Sequence, residues 1–200
     1  MRWTIYGLAG LLLALAAGIA VLAVQVIDSG PSEEGGLLGQ PTIGGPFDLV
    51  NGDGKTVTAA DYAGKPMIVY FGYTYCPDVC PVDLANVADA LDLLAPEVAA
   101  RFQPLFITID PERDTPTVMR DYVQNFHPLM QGLTGSLEQI RAVARNYRVY
   151  FAKVESDGAG PYLMSHSSYV YVMDAKGDYV RHFSRGATPE DIAAALKAML

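Results

Sequence analysis

Two hundred residues, 50% of them hydrophobic and 10% aromatic, suffice to bury a full core, which excludes a disordered chain. The formal charge of −8, from 22 acids against 14 bases with no basic run, excludes a surface that tracks nucleic-acid phosphates. The chain has 2 cysteines, and both fall in the stretch TYCPDVCPV.

At the N-terminus no residue from Trp3 to Ile27 is charged. As a helix, IYGLAGLLLALAAGIAVLAVQVI would rise roughly 35 Å, against a hydrocarbon core of about 30 Å, so residues 1–27 are expected to form a transmembrane anchor. Arg2 and the α-amino group precede it while Asp28, Glu33 and Glu34 follow, which places the N-terminus in the cytoplasm and the remainder in the periplasm. The competing reading is a cleaved signal peptide with Val21-Leu22-Ala23 before the cut. The apolar run exceeds the ~7 to 15 residues of a signal core, which favours the anchor. No cysteine follows the run closely enough for lipoprotein processing. Residues 28–46, rich in Gly, Pro, Ser and Glu, read as a flexible linker with an end-to-end distance on the order of 24 Å. Residues 47–200 are then the folded domain.

Within that domain, FDLV and KTVTA flank Asn51-Gly52-Asp53-Gly54, a turn signal that predicts a short hairpin. MIVYFGY (67–73) and LFITI (105–109) are continuous apolar runs of β-formers, as expected for central strands covered on both faces. Between them Leu84, Val87, Ala88, Leu91 and Leu94 repeat at helical period over 82–95. A second helix opens at Thr115-Pro116 and runs to about Phe126; a third starts at Ser136, with Gln139 completing a capping box. SSYVYVMD and DYVRHF form a late hairpin, and Thr188-Pro189 opens the last helix. Parallel crossovers early and an antiparallel pair late give an α/β sandwich, whose ligands belong beyond the carboxyl ends of the strands. Cys76 and Cys80 stand there, just after the strand at 67–73.

A structural disulfide between them would close only a five-residue loop and restrain the unfolded chain by roughly 2 kcal/mol, against about 4.7 for a hundred-residue loop, so stability is a poor reason for the pair. Pro77 or Pro81 is expected at the first helical position, which would put both sulfurs in the opening turn, where the helix dipole favours thiolate. A spacing of i and i+4 sets the side chains about 6 Å apart, near enough for one ion or one disulfide, and two soft sulfurs select Cu(I) or Zn over hard cations. A third ligand must come from elsewhere. His127, before Pro128 at a helix end, reads as structural; His182, alternating with Val180 in a strand, reads as a surface residue. His166 lies in PYLMSH, read as a loop leading into a central strand, a place where ligands are often presented.

FGYTYCPDVCPVDL, then ITIDPERDTP, then a lone histidine before a strand, resembles the Sco (SenC) family over roughly residues 40–200. The resemblance implies a thioredoxin-like fold and delivery of copper, as Cu(I) or Cu(II), to the binuclear CuA centre of cytochrome c oxidase subunit II, some members acting there as thiol reductants. It implies that Cys76, Cys80 and His166 are the copper ligands. Ser165 stands where members of the family commonly carry Asp, so whatever orients the imidazole must differ. Asp78, Asp110 and Asp114 are candidate outer or docking groups, their alternative being simple capping of helix starts.

The leading expectation is thus a membrane-anchored metallochaperone whose loading depends on pH and on prior reduction. Its partners would be the oxidase subunit, other periplasmic copper carriers and thioredoxin-like reductants. The enzymatic alternative is thiol–disulfide exchange through Cys76 and Cys80, although the three-residue spacing departs from C-x-x-C. A peroxiredoxin pattern would require Pro and Thr where this chain has Val69 and Tyr73. A binding module with incidental cysteines is the remaining class.

Overall fold

The structure, a computed structural model, describes residues 42–154 and 161–200. The expected anchor at 1–27 and most of the linker at 28–46 lie outside those residues. Among the described residues no helix is long and apolar enough to cross a membrane.

The chain from Thr42 to Leu200 forms one compact body. It opens with the expected hairpin, β1 (Asp48–Asn51) against β2 (Thr56–Thr58), paired Asp48 with Thr58. The Asn51 side-chain oxygen accepts from the N–H groups of Asp53 and Lys55, each at 3.0 Å, which stops the turn unravelling. Next come β3 (Met67–Gly72), α1 (Val79–Asp92), a one-turn α2 (Pro96–Ala99), β4 (Gln103–Thr108), α3 (Pro116–Val123), β5 (Gln131–Thr134) and α4 (Leu137–Asn146). The chain ends with β6 (Phe151–Val154), β7 (Leu163–His166), β8 (Val170–Met173), β9 (Tyr179–Phe183) and α5 (Pro189–Lys197).

Seven strands make one sheet in the order β2-β1-β5-β4-β3-β8-β9. Its middle is parallel, β3 on β4 with Met67 opposite Gln103, and β4 on β5; β8 then runs antiparallel to β3, with β9 antiparallel beyond it. This mixed sheet with helices is the α/β architecture expected. Every residue of β3 and β4 is buried, because helices cover both faces of the sheet's centre. The periodic face of α1 buries Leu84, Val87, Ala88 and Leu91, and that helix packs on α5. Thr115, Ser136 and Thr188 cap their helices with side-chain oxygens, as the sequence predicts.

Three expectations need correction. Helix α1 starts at Val79, with Asp78 at its N-cap, so neither Pro77 nor Pro81 is its first residue. Pro81 is tolerated inside the first turn because the N–H groups there lack intrahelical acceptors in any case. The order of elements also gains a strand, β5, between the second and third expected helices, where QGLT pairs with β4. Finally, PYLMSH is no loop: its last four residues are β7, which pairs antiparallel with β6 in a separate two-stranded sheet, Phe151 opposite His166. The period-two burial of Leu163 to His166 is too short to stand out in the sequence.

Candidate metal centre

Strand β3 ends at Gly72 and delivers the chain into the loop that bears Cys76, which is half-buried; Cys80 follows in the first turn of α1 and is fully buried. Only Cys80 therefore lies within the helix. The loop is held from below: the Thr74 N–H and hydroxyl donate to the two oxygens of Asp114, at 3.1 and 2.6 Å, and the Thr108 hydroxyl donates to the same carboxylate at 2.5 Å. The Cys76 N–H closes the turn on the Tyr73 carbonyl at 3.2 Å.

The third group arrives on β7. His166 Nε2 lies 3.5 Å from Cys80 Sγ, across a sequence separation of 86 residues. One ligand atom from each of Cys76, Cys80 and His166 lies within 4.8 Å of the others. His166 Nδ1 is 3.0 Å from the carbonyl oxygen of Ser167, so a main-chain acceptor orients the ring where a carboxylate at residue 165 is absent. Ser165 itself is exposed. Tyr70 and Tyr73 present ring edges to the imidazole, with centroids 6.3 and 6.1 Å away, and wall it against lateral movement.

The two thiols are not equivalent. The hydrogen bond from Cys80, aided by His166, pulls the Cys76 thiol down to about 3, so it stands as a thiolate. That same bond, together with burial, pushes Cys80 up, and it holds the shared proton. Two buried polar atoms beside the sulfurs, Tyr70 Oη and Asp83 Oδ2, have no hydrogen-bond partner among the described residues. Burial raises both groups above their ordinary values. Two thiol sulfurs and one imidazole nitrogen that converge form a donor set for a soft ion; hard cations would demand oxygen.

The remaining histidines do not join them. His127 is buried, its Nδ1 accepts the Leu129 N–H at 3.1 Å, and its Nε2 lies 3.6 Å from Asp92, a structural role at a helix end. His182 is exposed on edge strand β9, 2.6 Å from the Tyr179 hydroxyl. Of the candidate outer acids, Asp78 is at the surface with a 3.9 Å pairing to Arg185, whereas Asp110 and Asp114 are 1% and 0% exposed. Those two face inward and cannot present a docking surface. Sequence reasoning missed Tyr73, Thr74, Tyr162 and Arg113, whose roles depend on contacts between distant segments. The single legible signal was a lone arginine enclosed by acids in DPERD.

Comparison with known proteins agrees with this geometry. The sequence model of the SCO1/SenC family matches residues 36–200. The chain is 44% identical over 153 residues to SCO1 homolog 1, mitochondrial, of Arabidopsis thaliana, covering 76% of this chain and 46% of that protein, so it spans about half that relative's length. It is 44% identical over 158 residues to SenC of Rhodobacter capsulatus, covering 79% of this chain and 71% of the other. Among solved structures, the copper-bound structure of Bradyrhizobium japonicum ScoI superposes with a TM-score of 0.73 at 43% identity, over 79% of this chain and 99% of that one.

Proposed function

This chain belongs to the SCO1/SenC family, and from that premise we propose that it is a membrane-anchored copper metallochaperone. Copper is its cargo. Cys76 and Cys80 bind the ion as thiolates, His166 completes the site, and ligand exchange passes the ion to the CuA centre of cytochrome c oxidase subunit II. The sulfurs suit Cu(I) and the imidazole also suits Cu(II). The observation that carries the reading is the 3.5 Å approach of His166 Nε2 to Cys80 Sγ, which brings an otherwise unrelated strand to the pair of thiols. The copper-bound ScoI relative supports the same choice of metal. Residues 1–27 anchor the domain, residues 28–46 form its tether, and residues 47–200 work on the periplasmic side.

Metal analysis of the reduced full chain tests this. Wild type is expected to retain about one copper per chain, the Cys76→Ser/Cys80→Ser variant none, and His166→Ala to lose copper to a chelator at least about tenfold faster, as removal of one of three ligands implies. Equal retention by the double serine variant would remove the proposal.

A second reading, thiol–disulfide exchange, draws on the inequality of the two thiols. A half-buried Cys76 thiolate can attack a partner disulfide and release one partner thiolate; Cys80, passing its proton to that thiolate, then resolves the mixed disulfide, leaving a Cys76–Cys80 disulfide here and a thiol and a thiolate on the partner, the latter protonated by water. A thioredoxin-like reductant must then restore the pair. Turnover on a fragment bearing oxidised CuA-site cysteines discriminates: reduction at a rate unaffected by His166→Ala favours exchange over copper delivery.

A further inference from the structure

His166 sits on β7, which forms a separate two-stranded sheet with β6. Among the described residues strands β6 and β7 pair only with each other, so their placement over the cysteines depends on side chains from elsewhere. Met164, buried on the same face of β7 as His166, supplies one anchor. The other is Arg113, in the loop between β4 and α3.

Its guanidinium touches all three segments that build the centre. Nε donates to the buried carboxylate of Asp110, at the end of β4. Nη1 donates to the Tyr162 carbonyl at 2.9 Å, at the root of β7, and the guanidinium carbon lies 3.8 Å from the centroid of the Tyr162 ring. It also lies 4.9 Å from the ring of Tyr75 and 5.7 Å from that of Tyr73, the residues just ahead of Cys76. The Tyr162 hydroxyl closes the circuit by donating to the second oxygen of Asp110 at 2.8 Å. On the outer strand Lys153 adds an exposed pairing with Glu112 at 2.6 Å, which water screens. A planar, permanently charged group can satisfy a carboxylate, a carbonyl and three aromatic faces at once, which a lysine at that position cannot.

We propose that Arg113 is the positioning residue of the metal centre: it clamps the β6–β7 hairpin to the β4–α3 loop and the cysteine loop, and so governs how long His166 stays on the metal. Copper release follows the opening of this clamp. The proposal rests on the copper reading above, but its first readout does not need the metal.

In the metal-free full chain, Arg113→Met is expected to speed amide hydrogen exchange at 163–166 about tenfold, as the loss of a charge-assisted hydrogen bond implies, with β3 and β4 unchanged. In the Cu(I)-loaded chain it is expected to speed copper withdrawal by bathocuproine disulfonate to a similar degree, towards the rate of His166→Ala. In the His166→Ala background it should add nothing, since the clamp acts only through that ligand. Tyr162→Phe, which keeps the ring and removes one donor to Asp110, and Arg113→Lys should fall between; they decide the question if Arg113→Met fails to fold. Unchanged exchange at 163–166, or an acceleration of copper loss that persists undiminished without His166, overturns the proposal. Copper absent from wild type while exchange responds as expected sinks the copper reading and leaves the clamp standing.

Discussion

Gly72 marks how closely the last residue of β3 approaches the centre. A methyl group there would come within 2.7 Å of Cys80 Sγ and 2.9 Å of Phe106 Cε2, so only hydrogen fits between strand and sulfur. Gly72→Ala is therefore expected to destabilise the fold by about 1 to 3 kcal/mol through overpacking and, by displacing Cys80 from His166, to weaken copper retention. Thermal unfolding and chelator competition measure the two effects; a variant that matches wild type in both would refute the tight fit. Asp114 offers a test by pH. Burial pushes its carboxyl above the ordinary value of 3.8 despite the threonine donors around it. A raised folded value means that the native state holds the proton more tightly than the unfolded chain does. The contribution of Asp114 to stability is then greatest below pH 3.8 and is lost as pH rises through the folded value. Urea unfolding across the acid range should show wild type losing stability with rising pH relative to Asp114→Asn; parallel curves would contradict the shift. At this scale the candidate ligands were legible for two reasons: the chain holds only 2 cysteines, both in one stretch, and the family resemblance singled out His166 from 3 histidines. Thr74, Tyr73 and Arg113 were not, since nothing in a common residue type reveals which distant partner it will meet.

Helices announced themselves better than strands. The caps at Thr115, Ser136 and Thr188 are local agreements between a side chain and a backbone three residues on, and all three hold in the fold. In α4 the Gln139 N–H donates to Ser136 Oγ at 3.2 Å and the Ser136 N–H donates to Gln139 Oε1 at 2.7 Å. Ser136→Ala should cost about 1 kcal/mol and lower the melting temperature by about 2 to 4 °C. Faster amide exchange is expected in the first turn of α4 alone, and exchange that spreads into β5 would show the cap to be more than local. The central runs at β3 and β4 were readable because burial on both faces makes MIVYF and LFI continuously apolar. The strands missed, QGLT, FAKV and LMSH, have four residues each and owe their conformation to the neighbour they pair with. That pairing is a tertiary fact. It is also why the strand bearing His166 was read as a loop.

For the molecule as a whole, charge and length separate two tasks. A chain of net charge −8 has little attraction of its own for anionic lipid, so the membrane attachment proposed above rests on the apolar N-terminal run alone. The full chain is expected to stay in the membrane fraction through alkaline carbonate extraction, and a chain lacking residues 1–28 to appear in the supernatant. Release of the full chain by carbonate, or an N-terminus sequenced near Val24, would refute the anchor. The donors of the candidate metal centre also lie far apart in the chain, 86 residues between Cys80 and His166. A chain emerging from a ribosome or a translocon exposes both sulfurs long before residue 166 has been made. During that interval the pair is open to air oxidation and to scavenging of stray ions, with no imidazole to hold what it catches. On the metallochaperone proposal, loading is therefore expected last, after synthesis is finished and the thiols are reduced, and any oxidant that reaches the half-made chain competes with that step.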